Sequence, residues 1–171
     1  MYDVVKKSEI PVISLQQVKA HLRLDHAEDD DYLLHLITVA TEWVEELIES
    51  PLLTATYKVK SAAKRIKLPH QNIIDIVSVV GIGADRKKRS LSLYDLEVGS
   101  KVSVIVNSLY PSIEVTYTCG FGDRPKDVPA PLRQAIINHV ACHYECRTEI
   151  SKEQYLMLLQ LVHPYRKVGL S

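Results

Sequence analysis

Leu15, Val18 and Leu22 recur three and four residues apart, which places them on one face of a helix. Ser14 stands before them, with Gln17 three positions on. This is a capping-box pattern, in which the two side chains satisfy backbone N–H groups at the helix start. The spacing predicts a short helix ending near Leu24. A polar link, Asp25-His26-Ala27-Glu28-Asp29-Asp30, follows. Asp29 or Asp30 is expected to accept hydrogen bonds from the free N–H groups of the next helix. That helix is longer and amphipathic: Leu33, Leu36, Ile37, Ala40, Val44, Leu47 and Ile48 form one face, and Glu42, Glu45, Glu46 and Glu49 lie on the other. It should stop near Ser50-Pro51, because proline disfavours helix in the residue before it.

The hydrophobic period then shortens to that of a strand. Residues 54–60 put Ala55, Tyr57 and Val59 on one side, as a half-buried strand does. Segments 65–68, 73–82, 90–94, 101–106 and 113–118 are rich in Ile, Val, Leu and Tyr, with turn residues between them. Five or six short strands are therefore expected across about 52–119, closed by Gly120-Phe121-Gly122. Helical spacing returns after Pro129-Ala130-Pro131, where proline suits a first turn. Leu132, Ala135, Ile136, His139, Val140 and His143 carry that helix to about Arg147. Ser151-Lys152-Glu153 opens a last one, with Tyr155, Leu156, Leu158, Leu159 and Val162 ahead of Pro164. The expected fold class is α+β: a mainly helical bundle core of four helices, with an antiparallel β-rich segment inserted between helices 2 and 3. One domain is expected over 1–171, its helical core drawn from 13–50 and 129–164 and its insertion spanning about 52–122.

Composition narrows the class. A chain of 171 residues, 46% hydrophobic and 25% charged, suits one ordinary globular domain. Residues 1–7 are charged and lead into no apolar segment, so no secretory leader is expected. No run of about 18 apolar residues occurs, so no membrane partner is expected. Cys119, Cys142 and Cys146 are odd in number, and two sit one helical turn apart. That usage fits reduced thiols in a cytoplasm better than a disulfide framework. Net charge is zero but unevenly spread. Residues 1–50 hold 4 Lys/Arg against 11 Asp/Glu (−7), 51–100 hold 9 against 4 (+5), and 101–171 hold 8 against 6 (+2). Such polarity permits charge-complementary contact between neighbouring copies or with other partners.

Three constellations carry candidate chemistry. His139, His143 and Cys146 share a helix face and are the most metal-like spacing, but one helix does not complete a tetrahedron and no CxxC knuckle accompanies them. Core or interface packing is the stronger reading, so no metal and no cofactor are expected. His21, His26 and His35 lie near Asp25 and Asp29, groups suited to acid–base work. Capping explains those acids, however, and no GxSxG, P-loop, HExxH or GxGxxG motif positions a nucleophile or a phosphate. No catalytic residue is assigned and no enzyme is expected. Gly81-Ile82-Gly83 reads as a strand-end turn. Arg86, Lys87, Lys88 and Arg89 form the densest basic run. It reads either as a solvated hairpin tip or as a loop facing DNA or an acidic partner, where phosphate attraction is non-specific and falls steeply with salt. Trp43 reads as core or interface.

The order of these segments is similar to that of the phage head–tail connector (adaptor, head-completion) proteins of long-tailed phages and prophages. Residues 13–25, Ile13-Ser14-Leu15-Gln16-Gln17-Val18-Lys19-Ala20-His21-Leu22-Arg23-Leu24-Asp25, resemble the start of that family. Glu28-Asp29-Asp30-Asp31 and Ala40-Thr41-Glu42-Trp43-Val44-Glu45 resemble its acidic link and second helix. Leu68-Pro69, Ile76-Val77-Ser78-Val79 and Val115-Thr116-Tyr117-Thr118-Cys119-Gly120-Phe121-Gly122 resemble its strands. Val128-Pro129-Ala130-Pro131-Leu132, Tyr144-Glu145-Cys146-Arg147 and His163-Pro164-Tyr165-Arg166 resemble its closing helices. The likeness spans roughly 13–167. Cys119 departs from the family's usual alanine, a small change because cysteine also packs as a small apolar group. The resemblance implies a structural virion protein, one subunit of a homo-oligomeric and typically dodecameric ring. Its implied partners are the portal protein, a stopper (head-closure) protein and double-stranded DNA passing non-specifically through the channel. Its implied location is the virion head–tail junction, reached from the host cytoplasm during assembly. The alternative is a sequence-independent DNA-binding or DNA-packaging accessory protein.

Overall fold

The structure is a computed structural model and describes residues 2–99, 101–107, 109–146 and 150–166. The chain divides into two compact units. Of the described residues, one unit holds those of 49–121 with the N-terminal segment 2–8, and the other holds those of 9–48 with 122–166.

The helical unit contains α1 (Leu15–Leu22), α2 (Asp30–Leu47), α3 (Ala130–Cys146) and α4 (Lys152–Val162). The Ser14/Gln17 capping box forms as expected, with the Gln17 N–H donating to the Ser14 hydroxyl at 3.2 Å and the Ser14 N–H to Gln17 Oε1 at 2.9 Å. Ser151 and Gln154 build a second such box at the start of α4. The expected caps at the α2 start take another form. Asp29 occupies the N-cap position without a side-chain cap bond. Its carboxylate accepts the Tyr144 hydroxyl at 2.6 Å, and that of Asp30 accepts the Lys19 ammonium at 2.6 Å. Asp29 therefore ties the start of α2 to α3 and Asp30 ties it to α1, while Asp30 and Asp31 still sit at the positive end of the α2 dipole. Helix α1 stops at Leu22 because Arg23 turns left-handed. Helix α2 likewise ends at Leu47, before its proline, with Glu49 at φ 51°. Leu33, Ala40, Val44, Leu132, Ala135, Ile136 and Val140 are fully buried on α2 and α3, which pack on each other, and α4 packs on α3. Arg147, the expected end of α3, lies outside the described residues.

The β unit contains β1 (Tyr2–Lys6), β2 (Ala55–Ser61), β3 (Arg65–Lys67), β4 (Ile73–Ile82), β5 (Lys88–Ser90), β6 (Asp95–Val98), β7 (Val102–Ile105) and β8 (Ser112–Cys119). They form two antiparallel sheets, ordered β1-β2-β8-β4-β5 and β3-β7-β6. The α+β class stands, with two corrections. Strand β1 precedes α1 and joins the edge of the larger sheet, so the β structure is not confined to an insertion between helices 2 and 3. The helices also account for only part of the core, since the sheets enclose a full apolar cluster of their own. The strand expected at 90–94 is replaced by β5 and β6 on either side of it. Leu91 and Tyr94 pack against the core cluster from the intervening coil, which is why they read as strand residues.

Alternation explains the larger sheet. In β8 the odd positions Ile113, Val115, Tyr117 and Cys119 are buried, and the even positions are half-exposed. Their neighbours Ala55, Tyr57 and Val59 in β2 and Val79 in β4 share the buried face. Gly81 belongs to it too, and a Cβ there would lie 2.4 Å from the Tyr110 ring. The glycine thus makes room for an aromatic ring inside β4 and is not a turn residue.

Candidate interaction surface

The basic run is split by the fold. Arg86 takes φ 60°, its N–H donates to the Gly83 carbonyl at 2.9 Å, and the Gly83 N–H donates to the Lys87 carbonyl at 3.0 Å. The Asp85 carboxylate accepts the Lys87 N–H at 3.1 Å. Arg86 and Lys87 therefore form the β4–β5 turn, while Lys88 and Arg89 belong to β5 and point to opposite faces. All four side chains are exposed.

Lys88 lies opposite Ile82, on the polar face of the larger sheet. Its ammonium donates to both Glu114 carboxylate oxygens, at 3.0 and 3.2 Å, and Glu114 also faces the Lys58 ammonium at 3.7 Å. Burial by itself would raise the Glu114 carboxyl. The Lys88 hydrogen bonds and the two lysine charges outweigh it and hold the group below its ordinary value. One carboxylate on β8 thus braces cations arriving from β2 and β5, two strands that are not neighbours. Lys60 pairs in register with Glu114 and extends the row. Around this end of the sheet stand six cations, Lys58, Lys60, Arg86, Lys87, Lys88 and Arg89, and three acids, Asp85, Glu114 and Asp3, the last in register with Lys58 on β1. Exposed pairs of this kind are each worth under about 1 kcal/mol, so their effect is to fix positions. Lys58, Lys60 and Glu114 were not singled out from sequence. Their alternation with Tyr57, Val59 and Val115 marks them as outward, but nothing local reveals that Glu114 joins two lysines.

The metal-like residues do not converge. His139 is buried against Trp43, with ring centroids 4.9 Å apart, and stacks on His143 at 4.2 Å. His143 donates from Nδ1 to the His139 carbonyl at 2.9 Å, which is ordinary helix back-bonding. Cys146 contacts the Gln154 amide. Among the described residues, no group of three His, Cys, Asp or Glu side chains is arranged to hold a metal ion, and no helix is long and apolar enough to cross a membrane. His21, His26 and His35 are all exposed, and Asp29, their expected acidic companion, is held by Tyr144.

A second buried cluster was not foreseen. His70 stacks on Tyr57 at 3.9 Å, Tyr2 of β1 meets it edge-on at 4.6 Å, and His70 Nδ1 lies 2.6 Å from the Tyr117 hydroxyl. Burial pushes the Tyr117 phenol far up, so it keeps its proton and donates. Burial also depresses His70 to about 4, helped by the charge of Lys101, so the imidazole is neutral and accepts at Nδ1. Tyr117→Phe strands that nitrogen and should destabilise the chain by about 1–3 kcal/mol. Urea denaturation measures this; a change below about 0.5 kcal/mol would contradict the pairing.

The fold has close structural relatives in assembled particles. A chain in the virion of a native gene transfer agent particle superposes with a TM-score of 0.83 at 18% identity, covering 100% of this chain and 97% of that one. A chain from the neck of an empty particle, computed with C6 symmetry, gives 0.82 at 17% identity with the same coverage. One from the neck of a native particle, computed with C12 symmetry, gives 0.76 at 18%. At these identities the likeness is one of fold. No match to a curated protein sequence was found. The sequence pattern of the phage gp6-like head–tail connector proteins matches residues 12–114, more than half of the chain, and the chain belongs to that family.

Proposed function

We propose that this protein is a structural subunit of a ring at the head–tail junction, set between the portal and a tail-side stopper, with DNA passing through its centre. The observation that carries the reading is the whole-length fold likeness to neck chains of particles computed with C6 and C12 symmetry, together with family membership. The work of such a subunit is done by shape and by interfaces repeated around an axis. The two compact units act together in this reading as one connector subunit, which assembles in the host cytoplasm and ends in the virion.

The test is genetic and structural. Removing the protein should leave DNA-filled or leaking heads and unattached tails in roughly equal numbers. Adding purified chain to isolated portal should give a ring of density beneath it in negative-stain images. Normal tailed particles from the deletion would overturn the reading. Tight binding of the isolated monomer to linear DNA at physiological salt, with no ring on portal, would favour the DNA-binding accessory protein instead.

A further inference from the structure

We propose that the cationic end of the larger sheet is one half of the contact between copies, and that its other half is the acidic outer row of α2 on the next copy. This rests on the ring reading above and names the surfaces that would close it.

The first observation is the preorganisation of the cations. Lys58 and Lys88 come from β2 and β5, and Glu114 on the intervening β8 holds both. The flat face beside them carries Thr56, Thr116, Thr118 and Ser78 at its half-exposed positions. These are short polar side chains that would let a partner approach closely. The Lys58 and Lys88 ammonium groups share Glu114 Oε1, at 3.7 and 3.0 Å, so they stand within about 7 Å of each other, and the turn cations Arg86 and Lys87 precede Lys88 at the same end of the sheet. Glu114 also bears on the occupant. With it between them, Lys58 and Lys88 carry one net positive charge, too little to hold a phosphate backbone, while the same pair can still set the register of two carboxylates on a protein surface.

The second observation is where such carboxylates are. Residues 25–48 contain eight acids and no Lys or Arg. Asp29 and Asp30 are engaged within the helical unit, but Asp31, Glu42 and Glu46 are exposed along α2. Glu42 and Glu46 are one turn apart, and Asp31 lies about 16 Å from Glu42 along the axis. The Glu42–Glu46 spacing, about 6 Å along the axis, is the one that matches the separation of the two ammonium groups. Cation row and acid row belong to different units, so the contact joins unlike surfaces of two copies. Such head-to-tail contacts build rings when the rotation closes. Charge complementarity of this kind sets register and suppresses wrong pairings.

The test uses two full-length variants, K58E/K60E/K88E and D31K/E42K/E46K, and reads assembly by light scattering and negative-stain microscopy. Each variant alone presents like charges at every contact and should assemble at least about tenfold less well than the wild type, with an unchanged circular dichroism spectrum and a melting temperature lowered only by the lost Glu114 and helix-dipole contacts. Mixed together they should recover, because each interface in an alternating ring then joins opposite charges. Wild-type assembly by either variant alone would overturn the proposal, as would a mixture that does not recover. If K58E/K60E/K88E keeps its assembly but loses retention on linear double-stranded DNA, the face meets DNA and the proposal fails. A wild-type chain that forms no ring even with portal would sink the ring reading by itself. Cross-association of the two variants in sedimentation would still decide the surface pairing.

Discussion

Lowering the pH from 7 to about 4.5 should cost this protein roughly 4–5 kcal/mol of stability through two histidines alone. His70 and His139 are both held at about 4 in the folded chain, against an ordinary 6.5. Burial is the main cause in each case, aided by Lys101 for His70 and by His143 for His139. With the folded value depressed, the unfolded chain binds a proton that the folded chain refuses. Stability therefore falls as pH drops below about 6.5, by up to about 1.4 kcal/mol per unit and per histidine, and the loss from these groups levels off below about 4. Urea titrations at each pH would measure it. Trp43, the single tryptophan, lies against His139, so its fluorescence reports the helical unit separately from circular dichroism of the whole. His139→Phe keeps a ring on Trp43 and removes a buried Nδ1 that has no hydrogen-bond partner. It should raise stability near neutrality and abolish about half of the acid loss. An acid limb as steep in this variant as in the wild type would contradict the assignment.

Gly120→Ala should be the most damaging single methyl group in the β unit. Gly120 has φ 132°, and a Cβ there would stand 2.7 Å from the Leu53 carbonyl oxygen and 2.9 Å from the Thr54 nitrogen. Backbone strain costs about 1–3 kcal/mol by itself. The clash adds to it because the obstructing atoms are backbone and cannot rotate away. The same stretch is pinned by the Gly120 N–H to the Asn72 carbonyl at 3.0 Å and the Phe121 N–H to the Leu52 carbonyl at 3.2 Å, so relaxation breaks hydrogen bonds. A loss of about 3–5 kcal/mol, or about 10 °C in Tm, is expected. Gly99→Ala is the control. Its Cβ would meet only the Lys101 carbonyl, at 3.8 Å, and the change should stay within about 0.5 kcal/mol. Comparable melting of the two variants would show that Gly120 is not constrained as described.

Local order was legible in the chain itself. Helical spacing marked all four helices, and serines marked the starts of α1 and α4, since both signals depend on residues three or four apart. Alternation marked β2 and told which of its side chains face inward, because that period is a property of one strand, whereas β4 and β8 were marked by their Ile, Val, Leu and Tyr content and the turn residues around them. Strand β1 was missed because a strand at a sheet edge, exposed along its whole length, leaves no pattern of burial to read. The caps at α2 failed for a related reason. Asp29 has a local use as a cap, and a distant hydroxyl on Tyr144 outcompetes it. What only the tertiary structure decided is adjacency. Period two assigns Lys58, Glu114 and Lys88 to exposed positions, but it does not say that β8 lies between β2 and β4, with β5 beyond. His70 and Tyr117, 47 residues apart, meet for the same reason. Strand order is set by non-local hydrogen bonding and by burial of a shared face, so the cationic row and the buried imidazole exist only once the sheet has closed.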